Sequence, residues 1–182
     1  CASKGKEVLY IALEAEDREI ERRLKYRLII NQAYENGFGG EVKDASYKDW
    51  YRGNLQRLND RFEEKIESIF ASKYHGLSTF YRLEDFGIGD LKKKMMAVKD
   101  TCDLVILDHL HYIDIGQGDS ENKAFKDIVK TIRDLALSTC VPIVIVAHLR
   151  KKERGRKTLI PSLDDFHGTS DVVKIATKAI VF

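Results

Sequence analysis

Leu104-Val-Ile-Leu107, followed at once by Asp108, is the stretch that decides the fold. Four large aliphatic residues stand in a row between acidic ones, with neither a helical period nor an alternating one. So short a run, apolar on every side, reads as a strand buried on both faces. Two more runs of the same kind flank it in sequence, Val8-Leu-Tyr-Ile-Ala-Leu13 before and Val141-Pro-Ile-Val-Ile-Val-Ala147 after. The segments between them have helical periods. Asp17 to about Gln32 sets Ile20, Leu24, Leu28 and the pair Ile29/Ile30 on one face, and Gly37-Phe-Gly-Gly40 breaks it. Tyr47 to about Ser72 reads as more helix, with Leu55, Leu58, Phe62, Ile66, Ile69 and Phe70 on one stripe. Ile88–Lys99 is a short helix. Ser120–Thr139 is a long one, burying Phe125, Ile128, Val129, Ile132, Leu135 and Ala136. Leu77–Leu83 and Ala179–Phe182 read as further short strands. Apolar strands alternating with helices define an α/β domain: a mainly parallel sheet with helices on both faces.

The 182 residues are enough for one domain with a full core, and two prolines leave few breakers and no linker that would divide it. An apolar fraction of 43% against 33% charged residues fits a soluble globular chain. No apolar run reaches the ~18 residues of a membrane span, and the polar opening Cys1-Ala-Ser-Lys-Gly-Lys6 is no signal peptide. Cys1, Cys102 and Cys140 lack metal-ligand spacing. An odd, scattered set fits a reducing compartment, so a cytoplasmic location is expected. The net charge of +2 says little about partners. The local distribution says more: Arg150-Lys-Lys-Glu-Arg-Gly-Arg-Lys157 holds six basic residues in eight.

In parallel α/β sheets ligands sit outside the carboxyl ends of the strands. That rule selects Glu14, Asp108 and His148, and each has a plain alternative. Asp108 after four aliphatics has the form of a Walker B acid, which helps hold Mg²⁺ on nucleotide phosphates; a polar residue ending a strand has the same form. Glu14 could polarise an attacking water, or be a solvated acid like its neighbours Glu16, Asp17, Glu19 and Glu21. His148 could contact a γ-phosphate and signal its loss to the next loop, or be an exposed histidine. His109 and His111 flank Asp108 and could suggest a metal cluster, a minor reading with two points against it. Residues leaving a strand alternate in direction, and no cysteine or second carboxylate completes a ligand set at a convincing spacing. The basic loop behind His148 suits salt-dependent contact with a phosphate backbone, or is a solvated charged loop. Its continuity with the sensor strand favours the first, because nucleotide state would then be linked mechanically to nucleic-acid grip.

The order of these features resembles the RecA-like motor domain of DnaB-type replicative helicases, phage and mitochondrial primase-helicases included. Val8-Leu-Tyr-Ile-Ala-Leu-Glu14 is similar to the strand ending in that family's catalytic glutamate. Leu104-Val-Ile-Leu-Asp-His-Leu110 is similar to its Walker B, and Val141-Pro-Ile-Val-Ile-Val-Ala-His-Leu149 to its γ-phosphate sensor strand. Pro161-Ser-Leu-Asp-Asp-Phe-His-Gly-Thr-Ser170 resembles the motif closing the second DNA-facing loop. The resemblance spans nearly the whole chain and is weakest over residues 30–80. It implies a RecA-like P-loop ATPase core using ATP and Mg²⁺, with Glu14 as general base, Asp108 on the metal (through water) and His148 as sensor. Lys151, Lys152, Arg154, Arg156, Lys157, Gly168, Thr169 and Ser170 would face single-stranded DNA. It also implies a homo-oligomeric ring, a hexamer in most members, with a fused or associated primase and no membrane.

Three departures qualify this. No Gly-x-x-x-x-Gly-Lys-Ser/Thr occurs; Gly5-Lys6 leads into Glu7 and a strand, whereas a phosphate loop must open a helix. In the family that loop lies one helix upstream of the Glu14 strand, so residues 1–182 are expected to be a partial, N-terminally incomplete domain, inactive alone. The arginine-finger strands would lie beyond Phe182. His167 stands where these helicases commonly have Arg. Rival readings are a RepA-like helicase, to which Glu14-Ala-Glu-Asp17 and Arg22-Arg-Leu24 also bear likeness, another RecA/KaiC/RadA-like ATPase, and a nucleic-acid-binding regulatory module without catalysis.

Overall fold

The computed structural model describes residues 1–82, 84–115, 121–148 and 174–180. By internal contacts the chain falls into two compact units: Cys1–Lys6 with Ala15–Leu77, and Glu7–Glu14 with Ser78–Phe182.

The first unit is helical, with α1 (Asp17–Glu35), α2 (Gly39–Val42), α3 (Tyr47–Tyr51) and α4 (Gln56–Lys73). Its core sets Leu28, Ile29 and Ala33 of α1 against Leu58, Phe62 and Ile66 of α4, with Val42 between. The fourfold spacing of the α4 residues puts them one turn apart on a single stripe. The helical stretch expected over Tyr47–Ser72 is divided into two helices. Ser46 caps α3 in a capping box with Asp49, and the chain then turns through Gly53 at φ 84 before α4 begins. A positive φ of that size favours glycine and ends the helix despite a continuous apolar stripe.

The second unit carries the sheet, ordered β2 (Leu77–Tyr81), β1 (Val8–Ala12), β3 (Leu104–Asp108), β4 (Ile143–Val146). β3 pairs in parallel with β1 on one side and β4 on the other, Ala12, Asp108 and Val146 standing level. The expected parallel α/β sheet is therefore present, with the decisive stretch between its neighbours. α5 (Ile88–Val98) and α6 (Glu121–Thr139) pack with it. Their buried stripes, Leu91 and Met95 from α5 and Phe125, Ile128, Val129, Ile132 and Leu135 from α6, join Leu9, Ile11, Val105 and Leu107 in one core. Burying each such aliphatic side chain contributes about 1.5–3 kcal/mol. The alternate residues Tyr10, Ile106, Val144 and Val146 point the other way, and Val144 and Val146 stand 49% and 39% exposed. Of the strand expected over Ala179–Phe182, Val181 and Phe182 lie outside the described residues. So does Leu83, at the end of the strand expected over Leu77–Leu83.

Candidate nucleotide site

Parallel pairing brings the carboxyl ends of β1, β3 and β4 to one edge. Just beyond them come Glu14, His109 and His148, while Asp108 is the last residue of β3. The Leu13 amide donates to the Asp108 carbonyl at 2.6 Å, carrying the ladder one step further and fixing the backbone beside Glu14. Asp108 points to the face opposite α5 and α6, where the Tyr10 hydroxyl donates to its Oδ2 at 2.5 Å. Tyr10 and Asp108 share a face because Ala12, two residues beyond Tyr10, is the register partner of Asp108.

His109 is joined to Asp108 by a cis peptide bond and is 2% exposed. Its ring lies 4.0 Å from the His148 ring, centroid to centroid, tilted by 41°. The Tyr112 ring meets it edge-on at 4.6 Å. Its Nδ1 accepts from the His111 amide at 3.3 Å. A neutral imidazole that accepts at Nδ1 carries its proton on Nε2. That Nε2 is buried and lies 3.3 Å from a Glu14 carboxylate oxygen, at an angle that falls short of a hydrogen bond. Burial, and next the adjacent His148, push the His109 pKa below its ordinary value, which favours the neutral ring.

The loop after β3 is held from the β2 side. Arg82 donates to the Tyr112 carbonyl at 3.0 Å, lies over the Tyr112 ring and pairs with Asp114 at 3.6 Å. Asp114 in turn accepts the Phe86 amide.

The expected trio thus converges in part. Glu14 and His148 come together, with ligand atoms within 4.8 Å, and the residue between them is His109. The sequence left His109 without a ligand set because the carboxylate that meets its Nε2, Glu14, is 95 positions away. A distance of 4.8 Å among a carboxylate and two imidazoles is also within reach of a bound metal. Such a site needs a free lone pair on the His109 Nε2, however, and the hydrogen bond at Nδ1 assigns the proton there. Tyr10 was the other residue missed; its one signal is a hydroxyl inside an otherwise aliphatic run. The expected nucleic-acid residues Lys151, Lys152, Arg154, Arg156, Lys157, Gly168, Thr169 and Ser170 lie outside the described residues.

The parallel order of β1, β3 and β4, with helices packed on the sheet, is that of the RecA-like class of domains. The fold agrees: the "ATPase Domain of G40P" superimposes with a TM-score of 0.67 over 96% of this chain and 58% of that one, at 15% identity. The family model for the DnaB-like helicase C terminal domain matches residues 2–182, and the chain belongs to that family. It is 27% identical over 123 residues to the "Probable plasmid replicative DNA helicase" of Chlamydia trachomatis serovar L2, covering 66% of this chain and 27% of that protein. To the "DNA helicase/primase" of Enterobacteria phage T3 it is 23% identical over 152 residues, covering 80% of this chain and 24% of that protein. The matched stretch is thus about a quarter of the length of these relatives. Among the described residues no helix is long and apolar enough to cross a membrane.

Proposed function

We propose that this chain supplies the catalytic half of the nucleotide site in a replicative DNA helicase motor that hydrolyses ATP and moves on single-stranded DNA. The observation that carries the proposal is the convergence of Glu14 and His148 at the strand edge that also holds Asp108. Asp108 offers hard oxygen atoms at a half-buried strand end, and one of them already accepts from Tyr10, which fits a Mg²⁺ ion held by one carboxylate through water. Bound there, the ion would neutralise charge on phosphate oxygens. Glu14 takes the proton of the attacking water. His148 donates to the terminal phosphate and passes its loss into the chain that follows. Lys151, Lys152, Arg154, Arg156 and Lys157, with Gly168, Thr169 and Ser170, meet the DNA backbone. A ring of copies, a hexamer as in the family at large, places the nucleotide between subunits. A primase partner is suggested by the helicase/primase relative of phage T3. A Walker A loop upstream would complete the phosphate cradle, and an arginine finger downstream would reach the neighbouring subunit.

The test is a longer chain that joins this segment to the residues encoded upstream of Cys1. ATP hydrolysis stimulated by single-stranded DNA is expected. If the ~30 residues upstream hold no Gly-rich Lys-Ser/Thr loop, or if DNA leaves turnover unchanged, the proposal fails. Replacing Lys151, Lys152, Arg154 and Arg156 together by Ala should weaken single-strand binding and flatten its salt slope by about 0.7 for each phosphate no longer neutralised. An unaltered slope would assign that loop to solvent. Tyr10→Phe removes the hydroxyl that orients Asp108. Outer-shell partners of this kind are worth about 10-fold or more in metal affinity. The Mg²⁺ concentration for half-maximal turnover should therefore rise by about that factor, and an unchanged Mg²⁺ curve would leave Tyr10 without a role in the site.

A further inference from the structure

We infer that His109 is a positioning residue, which aims the Glu14 carboxylate and ties it to the state of His148. The inference rests on the role proposed above for Glu14. Glu14 stands at the end of a strand with its side chain 48% exposed, beside the acidic residues Glu16 and Asp17. A carboxylate so placed has rotamers to choose from, and a general base works only in one of them; misplacement by about 1 Å can cost about 100-fold in rate. Among the described residues, the polar group recorded against that carboxylate is the His109 Nε2, 3.3 Å away.

The surroundings of His109 make it suited to the task. It is buried, so the ring does not exchange its contact with Glu14 for water. Its Nδ1 accepts from the His111 amide, which leaves the Nε2 proton facing Glu14. One side of the ring is closed by Tyr112, whose carbonyl Arg82 holds. His111 adds an edge-on contact at 5.5 Å, and the nearest ring, at 4.0 Å, is that of His148, at the end of a different strand. A shift of His148 on loss of the terminal phosphate therefore changes the wall against which His109 rests. The His109 ring moves with it, and Nε2 swings toward or away from hydrogen-bonding geometry with Glu14. The 3.3 Å approach at a poor angle is the disengaged form of that hydrogen bond. Closing it requires a rotation of the ring or of the Glu14 side chain, and the sensor would then set whether the base is in place.

Two measurements test this. On the 182-residue chain, nitrogen-15 spectra of the histidine side chains should show His109 as the Nε2–H tautomer at neutral pH. Its Nε2 signal should shift in both Glu14→Gln and His148→Ala. An Nδ1–H tautomer, or a signal blind to both substitutions, overturns the inference. So does tight equimolar binding of Zn²⁺ alone that shifts His109 and His148 together, since the trio would then be a metal site. On the longer chain with its phosphate loop, His109→Leu should lower kcat for ATP by about 10- to 100-fold, with KM within about threefold. His109→Gln carries an amide N–H near the position of Nε2 and should recover most of that loss. If Glu14→Gln abolishes turnover while His109→Leu is as fast as the parent, the positioning role falls and the role of Glu14 stands. If Glu14→Gln is itself as fast as the parent, the role of Glu14 falls, and that of His109 with it.

Discussion

Glu14→Gln is expected to reduce DNA-stimulated ATP turnover by at least about 100-fold while nucleotide binding survives. A positioned general base contributes about 10²–10⁴ in rate, and an amide of the same shape cannot take the proton. The substitution leaves the rest of the site intact, for three reasons. The backbone beside residue 14 is fixed by the Leu13 amide on the Asp108 carbonyl, which no side chain alters. Glu14 contributes nothing to the apolar core. Its partly exposed side chain makes a change in stability beyond about 0.5 kcal/mol unexpected. The comparison must be made on the longer chain with its phosphate loop, measuring steady-state hydrolysis and equilibrium nucleotide affinity side by side. Turnover within about threefold of the parent would remove Glu14 from the catalytic step.

Leu107→Ala should destabilise the 182-residue chain by about 2–5 kcal/mol, the range for emptying a buried leucine site. Leu107 is wholly buried, in a strand with neighbours on both sides, level with Ile11 and Ile145 and packed in the core that α5 and α6 complete. Such a site collapses poorly, because its walls are ladders and helices already packed against one another. Val144→Ala, on the opposite face and half exposed, supplies the contrast; less than about 1 kcal/mol is expected there. Urea unfolding of both variants measures the difference. Equal losses would mean that the two faces of the sheet are packed alike, contrary to the difference in burial between Leu107 and Val144.

These two residues also mark what the sequence made legible. The strands are legible because three short all-apolar runs alternate with helical periods, and the sheet rule then carries Glu14, Asp108 and His148 to one edge without coordinates. Two things stayed hidden. The break between α3 and α4 was masked by Leu55, which keeps the apolar stripe in phase while Gly53 turns the backbone. The roles of Tyr10 and His109 depend on register and ring orientation. Tyr10 meets Asp108 only because of how β1 is aligned on β3, and His109 meets Glu14 only because two strand ends 95 positions apart in sequence are neighbours in space. Periodicity carries no information about such alignment.

The order of the strands gives the site an uneven stiffness. Asp108 ends a strand gripped from both sides, whereas among the described residues His148 follows a strand gripped from one side only, with its outward valines open to water. A push of given size therefore bends the histidine's support further than the acid's. In the motor proposed above, the metal ligand would sit on the anvil and the phosphate detector on the spring, so recoil after hydrolysis would travel outward along β4 and spare the seat on which the next nucleotide must land.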